Sequence, residues 1–168
     1  MTRDAPHPTR VTIRPAVVAD APALAALAVA FLRHEGRLET GHLTPGTMAE
    51  WLRGPRPAFE ALLAEVAGQA RGYLAFYQAF SLFRGHPVFL VENLYVDAAA
   101  RGQGIGRHLM VAAAAEARRR ALGRIELNVR AHGQGAIRFY EGLGARAAGE
   151  AVYRIEDEAL AALAAGAP

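Results

Sequence analysis

The stretch from Val91 to Gly106, VENLYVDAAARGQGIG, joins an apolar run to a glycine-rich turn and the start of a helix. Val88 to Val96 is expected as a strand, and the following periodicity predicts a helix from about Gly104. On that helix Gly106, Leu109, Met110, Ala113, Ala117 and Ala121 share one face. The anomaly lies inside the strand, where Glu92 and Asn93 interrupt apolar residues. The turn Arg101-Gly102-Gln103-Gly104-Ile105-Gly106 sets three glycines at alternate positions. Glycines let a backbone approach a ligand without a Cβ in the way. The unpaired N–H groups of a first helical turn then favour an anion. Arg101 and Arg107 flank the turn and suit charge-assisted bonds to a phosphate or diphosphate.

Two phosphate motifs are excluded by spacing. A dinucleotide fingerprint beginning at Gly102 requires glycine where Arg107 stands. A Walker A loop fails because Gly144 to Gly149 is followed by Glu150. Nor does His34-Glu35 open a zinc helix motif, since Leu38 occupies the position of the second histidine. The remaining histidines show no ligand spacing, so no metal site is expected.

Working outward, the 168 residues suit one domain, 1–168, with 1–10 as a loose N-terminal tail. The chain has no cysteine, which removes disulfides and a thiol nucleophile and fits a reducing cytoplasm. No leader or membrane span is expected, because the uncharged run Ala21 to Leu32 is too short to span. Every basic side chain other than histidine is an arginine, which by itself explains a pI near 9.8. The arginines are scattered except for Arg118-Arg119-Arg120, expected as a solvated helix face, so no nucleic-acid partner is expected.

The rest of the pattern is a strand at Val11–Ile13 and a helix capped by Asp20 carrying Leu24, Leu27, Ala28 and Phe31. A surface loop is expected at residues 34–42 and a second helix from Thr44 or Pro45 to Leu52, with Trp51 a partly buried anchor. Strands at 59–67 and 72–80 flank a hairpin turn at 68–71. Beyond the glycine loop and its helix come a half-buried strand at 125–129, a helix at 136–143 closed by Gly144, a strand at 150–155 and a helical tail at 157–165. The order β-α-α-β-β-β-α-β-α-β is that of an α/β (α+β) sandwich around one mixed sheet.

Arg101, Gly104 and Gly106 match the pattern Q/R-x-x-G-x-G/A, and AIRFYEGLGA at 136–145 follows downstream. With the strand ENLYV, these segments resemble the GNAT acetyltransferase superfamily, and the resemblance runs from Ile13 to about Leu163. It implies a mixed, mostly antiparallel central sheet flanked by helices, with a splayed and bulged central strand. It also implies an acetyl-CoA-dependent N-acetyltransferase without a covalent intermediate and without a metal. Acetyl-CoA binding maps to Leu94, Tyr95 and Val96, to the loop Arg101, Gly102, Gln103, Gly104, Ile105, Gly106 and Arg107, and to Gly133, Ala136 and Tyr140. A backbone N–H near Leu94 is the implied oxyanion donor.

An aromatic on such a helix is usually a core residue, as Ile137, Phe139 and Leu143 are expected to be, but the position of Tyr140 in FYEGLG resembles that of the family's acid for the departing thiolate. Glu92 is either a general base, acting through water, or a substrate ligand. Within the superfamily the chain is most similar to the spermidine/spermine (diamine) acetyltransferases, through Gly72 to Ser81 and through YRIEDEALAALA at 153–164. That branch implies a small-molecule amine partner (a diamine, polyamine or amino acid) and a homodimer. Glu35, Glu39, Glu92 and Asn93 are the candidate acceptor residues. Three positions depart from the branch: Asn93 replaces an aspartate, His132-Gly133 replaces Trp-Asn, and Glu150 replaces a tryptophan. A non-catalytic CoA-binding module, or an enzyme for a peptide amine or aminoglycoside, is the alternative.

Overall fold

The computed structural model describes residues 10–37 and 43–166. The N-terminal tail up to residue 9, most of the expected surface loop and Glu39 lie outside the described residues. The chain divides into two compact units, Met1–Asn128 and Val129–Pro168.

The first unit runs β1 (Val11–Pro15), α1 (Ala21–His34), α2 (Pro45–Trp51), β2 (Glu60–Val66), β3 (Gln69–Ser81), β4 (His86–Val96), α3 (Ile105–Arg119) and β5 (Ile125–Leu127). The sheet order is β1-β2-β3-β4-β5, antiparallel throughout except for the parallel pair β4–β5. It is therefore mixed and mostly antiparallel, as the sequence implied. The β2–β3 turn is tighter than expected, since Val66 already pairs with Gln69. Ala67 and Gly68 form it with φ of +51° and +74°, a backbone twist that suits a two-residue hairpin.

Alternation along the strands builds a core on each face. One face sets Leu62, Leu74, Phe76, Phe89 and Val91 against Ile105, Leu109, Ala113 and Ala117 of α3. The α3 residues recur every fourth position, and two of them are alanine, which lets the helix lie close to the sheet. The other face packs Leu63, Tyr73, Ala75 and Tyr95 under α1 and α2. Thr44 caps α2 by accepting from Thr47 N–H at 3.1 Å.

Three local expectations are corrected. Asp20 precedes α1 but does not cap it with its side chain. Its carboxylate instead takes both terminal nitrogens of Arg14, at 2.7 and 2.8 Å, because a bidentate arginine is the stronger partner. Arg120 does not belong to a solvated face: it forks onto Glu60 at 2.5 and 2.6 Å and lies over the Phe76 ring, 5.3 Å from its centroid. Trp51 is 53% exposed rather than an anchor, and Met48 takes the buried position on α2.

Gly72 has the closest surroundings of the described glycines. A Cβ there would lie 2.8 Å from the Tyr95 carbonyl oxygen on β4, which is backbone and cannot swing aside. Gly72→Ala is expected to cost about 1–3 kcal/mol through this overlap. A urea midpoint equal to the parent's would show that β3 and β4 separate freely there.

The second unit contains α4 (Gln134–Glu141) and α5 (Asp157–Ala164). Gly144, with φ of +91°, follows α4 as expected. The strand expected at 150–155 is absent: these residues form no ladder among the described residues, and Val152, Tyr153 and Ile155 are 59%, 92% and 56% exposed. Alternation gives a segment two faces but does not supply a neighbouring strand. Likewise β5 stops at Leu127 instead of continuing to Val129.

Candidate active site

The central feature is a change of phase in β4. Ala75 pairs with Asn93 while Phe76 pairs with Val91, so Glu92 is an extra residue with no partner on β3. The side chains record the slip. Before it, Phe89 and Val91 face α3; after it, Leu94 and Val96 pack on that side, and Tyr95 joins the core under α1 and α2. The polar pair Glu92-Asn93 thus occupies the one place where the strand leaves the regular pleat. Glu92 is exposed and Asn93 half-buried.

The bulge also opens the strand. Among the described residues, pairing with β5 covers Phe89, Leu90 and Val91, so from Glu92 to Val96 the strand has a ladder neighbour on the β3 side alone. Asp97 N–H donates to Arg71 C=O at 2.8 Å. By the alternation of an antiparallel ladder, Tyr95 and Asn93 also turn their backbone groups to β3, and Leu94 and Val96 turn theirs away. The Val96 carbonyl is taken by Arg101 Nε at 3.1 Å. The Leu94 N–H is left pointing from the open side, one residue from Asn93 and two from Glu92.

Asp97 fixes where the strand ends. Its carboxylate accepts from the Arg71 guanidinium at 3.0 Å and from Ala99 N–H at 3.3 Å, which caps a short turn at Ala98–Ala100. Arg101 then folds back over the Tyr95 ring, 5.7 Å from its centroid. Gly102 and Gly104 follow with φ of +78° and +75°, a region that other residues enter only with strain. The first helical bond runs from His108 N–H to Gly104 C=O, at 3.0 Å. Ile105, Gly106 and Arg107 therefore have no carbonyl partner within the helix. Ile105 is buried and anchors the turn, while Arg101, Gly102, Gln103, Gly104 and Arg107 are exposed. A Cβ on Gly102 would meet nothing within 4 Å, and one on Gly104 only the His108 ring, at 3.8 and 3.9 Å. The glycines thus leave the space beside the first-turn N–H groups free of side chains.

On the other side of the same strand, Phe31 and His34 of α1 approach the Tyr95 ring at 6.0 and 6.4 Å between centroids. Glu35 closes α1 with its N–H on Phe31 C=O at 2.9 Å, so the end of α1 is held above β4.

In the second unit, Gly133 precedes α4 and donates to Arg130 C=O at 2.8 Å. A Cβ there would lie 3.1 Å from that same oxygen, so the turn favours glycine. Ala136 is exposed in the first turn of α4. Tyr140 is half-buried and meets Phe139 edge to face at 5.0 Å. Burial pushes its phenol pKa above the ordinary value.

A family model described as the acetyltransferase (GNAT) family matches residues 24–145. The chain belongs to the GNAT acetyltransferase family. Thialysine N-epsilon-acetyltransferase of Bos taurus is 31% identical over 123 residues, covering 66% of this chain and 72% of that protein. Among solved structures, ribosomal-protein-alanine N-acetyltransferase from Brucella melitensis biovar Abortus 2308 superposes with a TM-score of 0.73 at 25% identity. It covers 88% of this chain and 99% of that one. An aminoglycoside acetyltransferase from an uncultured soil metagenomic sample reaches a TM-score of 0.75 at 18% identity, over 88% of this chain and 95% of that one, a likeness of fold. This GNAT chain is therefore an N-acetyltransferase. Among the described residues, no group of three or more metal-ligating side chains occurs and no helix is long and apolar enough to cross a membrane.

The sequence reading missed one contributor. The Arg71–Asp97 pair secures the strand end, and Arg71 is the extra residue of a second irregularity, where Ala64 pairs with Gly72 and Glu65 with Ala70. Its only sequence signal was a charged residue beside Gly72.

Proposed function

We propose that the protein transfers the acetyl group of acetyl-CoA to the primary amine of a small aliphatic molecule, by direct attack in a ternary complex. The observation that carries this reading is β4 itself. One strand presents Glu92 at a bulge, an outward Leu94 N–H two residues on, and a glycine-lined helix start after it. The N–H groups of Ile105, Gly106 and Arg107 hold the diphosphate, with Arg107 adding charge. The Leu94 N–H donates to the thioester oxygen as negative charge grows on it. Glu92 takes the proton of the bound ammonium, which frees the nitrogen lone pair to bond to the carbonyl carbon. As the carbon–sulfur bond breaks, Tyr140 protonates the leaving thiolate, and the second proton shed by the nitrogen returns to the phenolate through solvent. Glu92, Asn93 and Glu35 line the acceptor side. An aliphatic acceptor is favoured because the curated relatives are named for thialysine.

Glu92→Gln tests the acceptor half. It is expected to lower kcat/KM for the amine about 100-fold near neutral pH while leaving acetyl-CoA affinity intact. The deficit should shrink as pH rises and the amine sheds its own proton. An unchanged kcat/KM would remove Glu92 from the mechanism.

A further inference from the structure

Tyr73, Ala75 and Tyr77 stand on one face of β3, and α1 and α2 cover only the first two. Tyr73 is 4% exposed and Ala75 7%, whereas Tyr77 is 36% exposed. The cover stops there because β2 ends opposite Phe76, so from Tyr77 onward β3 is flanked by β4 alone.

Across the bulge, Ala75 lies opposite Asn93 and Tyr77 opposite Leu90, which brackets the extra residue Glu92 between the levels of the two tyrosines. Burial raises the pKa of both phenols, and the Glu92 charge adds to the rise in each, as expected for a carboxylate near both. The result is an anion beside an accessible aromatic face. An alkylammonium suits that pair: the cation meets the carboxylate, and its methylenes meet the ring.

We infer that Tyr77 is the specificity-determining residue of the acceptor side, the platform on which the methylene chain of an aliphatic amine lies while Glu92 holds its amino group. This rests on the acceptor role proposed for Glu92. It goes further by assigning a residue and a preference for unbranched chains.

Tyr77→Thr keeps a strand-forming residue and removes the ring. With thialysine and spermidine as probe acceptors and CoA release as the readout, the amine KM is expected to rise about tenfold, the loss of one or two buried methylenes. The acetyl-CoA KM and kcat should stay within about twofold, and Tyr77→Phe should match the parent. An unchanged amine KM in Tyr77→Thr, or a parallel loss of acetyl-CoA affinity, would overturn the assignment while Glu92→Gln still impaired the amine. If Glu92→Gln were also silent, or the parent turned over neither amine, the acceptor reading itself would fall, and this inference with it.

Discussion

A Gly104→Glu variant is expected to lose acetyl-CoA binding, with Kd raised at least about 100-fold, roughly 2.7 kcal/mol, while the chain remains folded. The separation of effects follows from the surroundings of Gly104. A Cβ there meets only the edge of His108, at ordinary contact distance, so the added side chain does not collide with the core. The positive φ of +75° costs any L-residue about 1–2 kcal/mol, which is less than a typical domain's stability. The carboxylate, however, enters the volume that the N–H groups of Ile105, Gly106 and Arg107 face. It would occupy that cradle and repel a diphosphate. Gly104→Ala carries the same backbone strain without the charge, so a much smaller loss in that variant isolates the electrostatic part. Calorimetric titration with acetyl-CoA reads both. Parent-like affinity in Gly104→Glu would mean that the diphosphate binds elsewhere.

Tyr140→Phe is expected to lower kcat about 100-fold or more with acetyl-CoA affinity changed by less than about threefold. The variant keeps the ring, its edge-to-face contact with Phe139 and the helix, and deletes only the hydroxyl. A phenol is protonated across the neutral range, and burial raises the Tyr140 pKa further, so its proton moves only as basic charge builds on the thiolate while the carbon–sulfur bond breaks. An acyl donor whose leaving group is a weaker base than the CoA thiolate should recover part of the loss. A wild-type turnover would return Tyr140 to a packing role.

The layers were legible in the sequence because they depend on local periodicity. Leu24, Leu27 and Ala28 of α1, and Leu109, Ala113 and Ala117 of α3, sit in the core as their spacing requires. The glycine loop was legible because Gly102 and Gly104 adopt backbone angles that favour glycine. The bulge left a trace as well: Glu92 and Asn93 break the apolar run of β4, and Glu92 is the extra residue.

What depends on distant partners was less visible. The segment 150–155 has a strand's alternation but no ladder, since pairing is a property of two segments. Asp20 has the chemistry of a cap, but Arg14 offers it a two-point contact that periodicity does not reveal. Arg120 looks like part of a basic surface run until β2 brings Glu60 to it. Glu39 lies outside the described residues, so its place among the acceptor candidates rests on the sequence.

The central claim, that this chain acetylates small aliphatic amines from acetyl-CoA, is tested most directly by CoA release with the purified protein. The panel should contain diamines, polyamines, amino acids including thialysine, and aminoglycosides, with product identity read by mass. The account predicts CoA release that requires the added amine, is strongest with unbranched aliphatic amines, and yields the N-acetyl product. CoA release that no amine raises above simple thioester hydrolysis would contradict it.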